Sequence, residues 1–276
     1  MNITTFFLGG TEMMKKLSRI ALLAAASAFM LAVFPACGDD DSGEETPPPV
    51  TDTDDKEQDE NGGQGGTTAT FTFLSGDYTD SSTAANAEGF FDGSKDGSLA
   101  VTVSAIELQL YKENDGWTPI DASKSSTKKA GGGNMGEGNP ASVQAVLTTK
   151  SDGIANQSNE VFGENGYEMG RIKLAVTTGT TAVELKKISG YFASGKSFTK
   201  GYVKVGDNAY VEITETTALA NNKGFSVDGF EVNQTIPASS TKDVYILLGK
   251  VATSAPSAGT TIDVAKLVYE FAAAEN

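Results

Sequence analysis

From Thr67 onward, apolar and polar residues alternate with a period of two, the signature of strands with one buried face. Thr70-Phe71-Thr72-Phe73 places two aromatic rings on one face and two threonines on the other. Between 99 and 110 the apolar phase is odd up to Val103 and even from Ile106. Side chains alternate along a strand, so this slip of one residue predicts a β-bulge near Ser104-Ala105. Asn114-Asp115-Gly116 is a turn signal, with a return strand predicted over 117–120. Further strands are predicted over 143–148, 167–176, 182–188, 202–205, 210–214, 225–232 and 244–251, with Gly206-Asp207-Asn208 as a turn. At the end of the chain Val264, Leu267, Val268 and Phe271 have helical spacing behind a capping Asp263, whereas Ile262 and Val264 alternate. The preferred reading is a strand that frays into a short helical tail. Many short, threonine-rich strands separated by Gly, Asn and Asp predict an all-β fold, an antiparallel β-sandwich over 67–276, as one body or two packed subdomains.

The first residues follow another pattern. Lys15, Lys16 and Arg19 precede an apolar run over 20–33 that only Ser27 interrupts. Such a run suits an export signal and falls short of the roughly 20 residues that cross a bilayer as a helix. It closes in Phe34-Pro35-Ala36-Cys37, where Pro35 ends a helix and presents the following bond extended. This order resembles bacterial lipoprotein signals, in which small residues precede a cysteine whose thiol is acylated before cleavage. Ala36-Cys37 matches that lipobox, whereas Phe34 and Pro35 depart from its usual Leu-Ala/Ser pattern. The resemblance implies a signal peptide over 1–36, with 13–36 its working part, and cleavage before Cys37. It further implies lipidation of Cys37 and a lipid-anchored protein at the bacterial cell envelope, in the outer membrane or on the cell surface. Acyl chains bury methylenes at about 0.8 kcal/mol each, so such an anchor is durable.

Charge separates the next segment from the rest. The chain of 276 residues carries 21 Lys+Arg against 36 Asp+Glu, a net charge of −15. That balance opposes nucleic-acid binding, which needs cations to replace phosphate counterions. Eleven acids and one base, Lys56, fall within 38–60. With Pro47-Pro48-Pro49 and the glycines of 62–66, residues 37–66 read as a lipidated, acidic, flexible tether.

A second resemblance rests on Val101 to Ile120, VTVSAIELQLYKENDGWTPI, and on Tyr167-Glu168-Met169-Gly170-Arg171-Ile172. The first is similar to the opening hairpin, with its Gly-Trp step, of bacterial envelope lipoproteins with uncharacterised Ig-like or transthyretin-like domains. The second is similar to their later Tyr-x-x-x-Arg strand. The resemblance implies a fold and a location and carries no catalytic signature.

The composition closes off several chemistries. With no histidine there is no Ser-His-Asp triad, Cys-His dyad or His-ligated zinc or haem, and the one cysteine is assigned to lipid. The glycine-rich 131–138 lacks the lysine of a nucleotide-binding loop and reads as a mobile loop. Ser125-Ser126-Thr127-Lys128 fits S-x-x-K formally, but without its partner motifs it reads as chance. Asp92, Ser94 and Asp96, followed by Gly97 and Leu99, match the first half of a calcium loop. Val103 stands where that loop needs Glu, and Lys95 adds a cation, so a turn before the next strand competes with the calcium reading. The lysines at 186, 187, 200 and 204 are expected to protect sheet edges.

These readings lead to a non-enzymatic binding or structural module, with a glycan or an envelope or surface protein as partner. The alternative is a carbohydrate-active enzyme using a pair of carboxylates. Lipidation has a direct test: Cys37→Ser is expected to abolish metabolic incorporation of a labelled fatty acid. Labelling that survives the substitution refutes it.

Overall fold

Period-two alternation matures into two antiparallel sheets stacked face to face. The computed structural model describes residues 66–75, 82–83, 88–121, 125–146, 155–258 and 260–275, all within the unit Glu60–Asn276. The export signal, Cys37 and nearly all of the expected tether lie outside the described residues. The chain opens with β1 (Thr68–Phe73), β2 (Ser82–Thr83), β3 (Ser94–Asp96) and β4 (Val101–Val103), then forms the hairpin β5 (Glu107–Lys112) and β6 (Gly116–Pro119). Three short strands follow, β7 (Ser125–Lys128), β8 (Ser142–Val146) and β9 (Gln157–Ser158). The second half holds the long strands β10 (Gly166–Thr178) and β11 (Val183–Ala193), then β12 (Lys200–Val205), β13 (Val211–Glu212) and β14 (Thr217–Ala218). It ends with β15 (Gly224–Ile236), β16 (Thr241–Val251) and β17 (Thr261–Ala273).

Sheet A has nine strands in the order β14-β15-β11-β17-β8-β7-β2, with β1 pairing both β17 and β3. Sheet B has eight, ordered β13-β12-β16-β10-β5-β6, with β4 and β9 also on β10. One apolar core joins them: Phe71, Leu185, Phe192 and Val264 come from sheet A, and Leu108, Ile172, Val203 and Ile246 from sheet B. The alternation of 70–73 does what the pattern predicts. Phe71 and Phe73 are buried and stack edge-on against Phe271 and Tyr269 at 5.8 and 5.9 Å. The predicted phase slip is a break between β4 and β5, which both pair β10. There Ser104 donates its N–H to the Ala175 carbonyl and accepts the Ala175 N–H on its hydroxyl, so both backbone groups of Ala175 keep partners across the interruption.

Two expectations are corrected. The final segment remains a strand to Ala273 with no helical tail, and Asp263 is not a cap. Neighbours flank β17 on both sides, β11 on one and β8 and β1 on the other, and supply the ladder bonds that a helix would forgo. Two of the four lysines do not guard edges. Lys186 and Lys187 lie in β11, an interior strand, and pair with Glu184 at 3.1 Å and Glu231 at 4.0 Å. Lys200 and Lys204 lie on β12 on either side of Tyr202 and Val203, the two residues that the short edge strand β13 pairs, and meet Glu212 at 2.9 Å and the Tyr210 ring at 4.6 Å. The long flank of β15 beyond β14 is blunted by positive φ at Gly229 and Asn233 and by the exposed acids Asp228 and Glu231.

The core suggests two contrasting substitutions. Phe73→Ala is expected to lower unfolding stability by about 3–5 kcal/mol, because it empties a fully buried ring site. The buried Tyr269 hydroxyl has no hydrogen-bond partner among the described residues, so Tyr269→Phe is expected to leave stability equal or higher. Denaturant titration of both variants checks the pair; a large loss in Tyr269→Phe contradicts this account.

Candidate functional site

The outer face of sheet A carries a concavity whose origin lies in strand register. Between Ile188 and Gly190 of β11, β15 inserts one extra residue, pairing Ile188 with Phe230 and Gly190 with Val227. Between Ser189 and Tyr191, β17 does the same, pairing Ser189 with Val268 and Tyr191 with Ala265. Positive φ marks both insertions, +63° at Gly229 and +46° at Lys266. Glycine adopts that conformation without strain, and the Gly229 N–H, freed from the ladder, donates to the Ser189 hydroxyl at 2.7 Å. A bulge bends its strand and sharpens the local twist. Two bulges flanking one strand at the same level accompany a groove of about 420 Å³. It is lined by Ser189, Tyr191, Ser226, Asp228, Lys266 and Glu270. Asp228 and Lys266 are exposed, while Tyr191 and Glu270 are half-buried.

Tyr191 is braced from the side. It packs against a small cluster of Met135, Ala193, Leu219 and Ala265, in which Met135 is fully buried. Met135 belongs to the glycine-rich segment, which the sequence suggested was mobile; it is instead laid against sheet A. The segment closes on itself through Gly131 N–H to the Asn139 carbonyl and Gly132 N–H to the Lys129 carbonyl. It is fastened by Asp263, a fully buried carboxylate on β17. Asp263 accepts from the Asn134 side-chain amide at 2.6 Å, the Asn134 N–H at 3.2 Å and the Gln144 amide at 3.0 Å. A Cβ at Gly133, which has φ +61°, would collide with this carboxylate. Burial pushes the Asp263 carboxyl above its ordinary range; the amide donors and Lys128 oppose it and lose.

The outer face of sheet B carries a second constellation. Residues three apart on a strand normally face opposite ways, yet Glu168 and Arg171 meet. The register shift between Glu168 and Gly170 inserts Met169 and returns Glu168 to the outer face. Arg171 donates from Nε and an NH2 group to the two Glu168 oxygens, and Asn159 donates to Glu168 at 2.6 Å. The guanidinium lies 4.1 Å from the Trp117 ring centroid and 5.7 Å from that of Tyr245. Residues from both segments of the second resemblance, Trp117 and Arg171, are thus in contact across β5. Burial raises the Glu168 carboxyl, against the pull of Arg171. Asn159 also caps the turn Glu160–Phe162, which seats Phe162 on Tyr202 at 4.9 Å. Every charge here has a partner, and the arrangement locks the turn and β6 onto the sheet.

The residues singled out from sequence are placed as follows. Cys37 lies outside the described residues. Asp92 sits in a bend, and Ser94 and Asp96 lie in β3, an extended strand paired with β1 rather than a chelating loop. Lys95 donates to the Leu99 and Val101 carbonyls at 2.8 and 3.0 Å, so an ammonium already serves those oxygens. Among the described residues no group of three or more His, Cys, Asp or Glu is placed to hold a metal ion. Ser125 and Lys128 lie on the extended β7, with Ser125 buried and Lys128 half-buried, so the helical juxtaposition of S-x-x-K does not arise. The groove residues escaped sequence reading because three strands distant in the chain build it. Gly229, inside a predicted strand, was the one local signal of a bulge. No protein-family model matches the chain, and no curated protein sequence matches it significantly.

Asp263 and Glu168 set a pH dependence. Both hold a proton more tightly folded than at their ordinary values of 3.8 and 4.5, so the folded state binds more protons above those values. Stability therefore falls as pH rises from about 4 through the raised folded values. Calorimetric unfolding is expected to give a higher midpoint at pH 5 than at pH 8, with a shallower slope in Glu168→Gln. The opposite slope contradicts the assignment.

Proposed function

We propose that this chain is a lipid-anchored cell-envelope protein whose β-sandwich binds its ligand without transforming it. The observation that carries the reading is the double-bulge groove on sheet A, with the braced Tyr191 on its wall. Bulges recur where a side chain must be re-aimed next to a functional site, and the volume falls within the range of small-ligand pockets. The apolar run before Cys37 and the acidic segment after it support an anchored protein on a spacer at the outer membrane or cell surface, attached to membrane through lipid on Cys37. The ligand class in view is a glycan or an envelope or surface protein, with nucleic acid disfavoured by charge.

A second reading has one specific observation behind it: Asp228 and Glu270 share the groove. They sit on β15 and β17 with β11 between them, Asp228 beside Ser189 and Glu270 opposite Lys187, so their backbones stand farther apart than the roughly 10 Å of two strand spacings. A glycoside hydrolase sets its two acids in contrasting environments, one of them enclosed, whereas here Asp228 is exposed and Glu270 only half-buried. Binding is the better-supported function.

The test mixes the purified full-length lipoprotein, in detergent, with washed envelope fragments of the producing cells. Wild type is expected to co-sediment without releasing reducing ends, and Tyr191→Ala to remain in the supernatant. Equal sedimentation of the two refutes a role for the groove; released reducing ends favour the hydrolase.

A further inference from the structure

The lining of this groove specifies its ligand more narrowly, and we infer that it takes a chain of neutral sugars, with one ring face on Tyr191 and hydroxyls on Asp228 and Glu270. The inference rests on the groove being the binding site.

Four features point there. First, the aromatic wall is rigid and half open. Tyr191 lines the groove while packing against Met135, Leu219 and Ala265, and Met135 is fixed through the loop that Asp263 fastens. The negative face of an aromatic ring attracts the C–H groups on one side of a pyranose, and a pre-set ring loses little entropy on binding. Second, sugar hydroxyls are donors that seek strong acceptors. Asp228 and Glu270 provide carboxylates from the two flanking strands, so the two groups stand on opposite sides of β11. Lys266, raised by its own bulge, is the complementary donor for ring and hydroxyl oxygens.

Third, the charge is selective. Two carboxylates face one ammonium, a balance that accepts hydroxyls and repels uronates, sulfates and phosphates. Fourth, the backbone at the groove floor is closed to the main competitor, and the free flank of β15 is blunted by its positive φ at Gly229 and Asn233. An extended peptide adds to a sheet through free N–H and C=O groups at an edge. At the groove floor β11 is paired with β15 on one side and β17 on the other, and the N–H released at Gly229 is taken by Ser189. Recognition on this floor must then run through side chains, with the small Ser189 and Ser226 leaving room for a ring above it.

The experiment applies the full-length lipoprotein in detergent micelles to an array of immobilised neutral, N-acetylated, uronate-bearing and sulfated oligosaccharides, beside extended peptides. Titration calorimetry with the brightest soluble oligosaccharide follows. The expected result is binding to neutral chains, with uronate-bearing chains of matching linkage about ten-fold weaker. Tyr191→Ala should weaken binding about ten-fold, the size of one lost aromatic contact, and Tyr191→Phe should restore it. Asp228→Asn, at an exposed position, should weaken it several-fold with an unchanged melting midpoint, and carries the test if Tyr191→Ala fails to fold. Binding confined to anionic sugars or to peptides overturns the inference. So does an empty array when envelope sedimentation still depends on Tyr191, an outcome that leaves the groove as a binding site for something else. Sedimentation that ignores Tyr191 removes the groove reading itself.

Discussion

Sheet A is assembled on one strand, β17, whose backbone groups need partners along its length. On one flank β11 pairs with it from Val183 to Ala193; on the other, β8 takes Thr261–Val264 and β1 takes Leu267–Ala272. Buried N–H and C=O groups are costly to leave unpaired, so three segments distant in sequence are held in fixed register by one strand. Its side chains then serve both faces. Ile262, Leu267, Tyr269 and Phe271 fill the core, while Asp263, Lys266 and Glu270 are left for the outside. A single added residue at Lys266 shifts that division, and the shape of the outer face follows from it.

The two buried carboxylates illustrate how a sandwich fastens irregular segments. Burying a charge is unfavourable unless donors meet it. Asp263 is met by amides and secures a glycine-rich loop, whereas Glu168 is met by Arg171 and Asn159 and secures a turn and the hairpin end. Each opposes desolvation with several hydrogen bonds, and each sits where a neighbouring segment would otherwise lie loosely on the sheet. Neither site requires a ligand to be complete. The groove differs, since Asp228 and Lys266 are exposed on its rim.

Much of the strand content was legible, because burial on one face imposes alternation. The aromatic face of 70–73, the slip at Ser104-Ala105 and the turn at Asn114-Asp115-Gly116 all emerge where the pattern places them. Partner choice was not, since nothing local says that β1 will lie beside β17. The helical spacing of Val264, Leu267 and Phe271 arises because the positive φ at Lys266 shifts the strand's phase by one residue. The glycine-rich segment misled for a related reason. Glycine suggests freedom when read alone, but here it lets the backbone come close to Asp263. Trp117 and Arg171 stood out only through resemblance; in the fold the guanidinium lies over the indole ring. Tyr191, Asp228 and Glu270 carried no signal, as their proximity depends on register across three strands.

The pairing of β1 with β17 has a mechanical consequence. Chain leading to Thr68 enters sheet A directly, and six register pairs, Thr68 with Ala272 through Phe73 with Leu267, join that strand to the one forming a wall of the groove. Tension applied along β1 from its amino end loads those bonds in shear, all at once, instead of peeling them apart in sequence. Between a pull on that amino end and anything gripped at Tyr191, the shortest load path therefore runs through three strands, β1, β17 and β11, and bypasses sheet B.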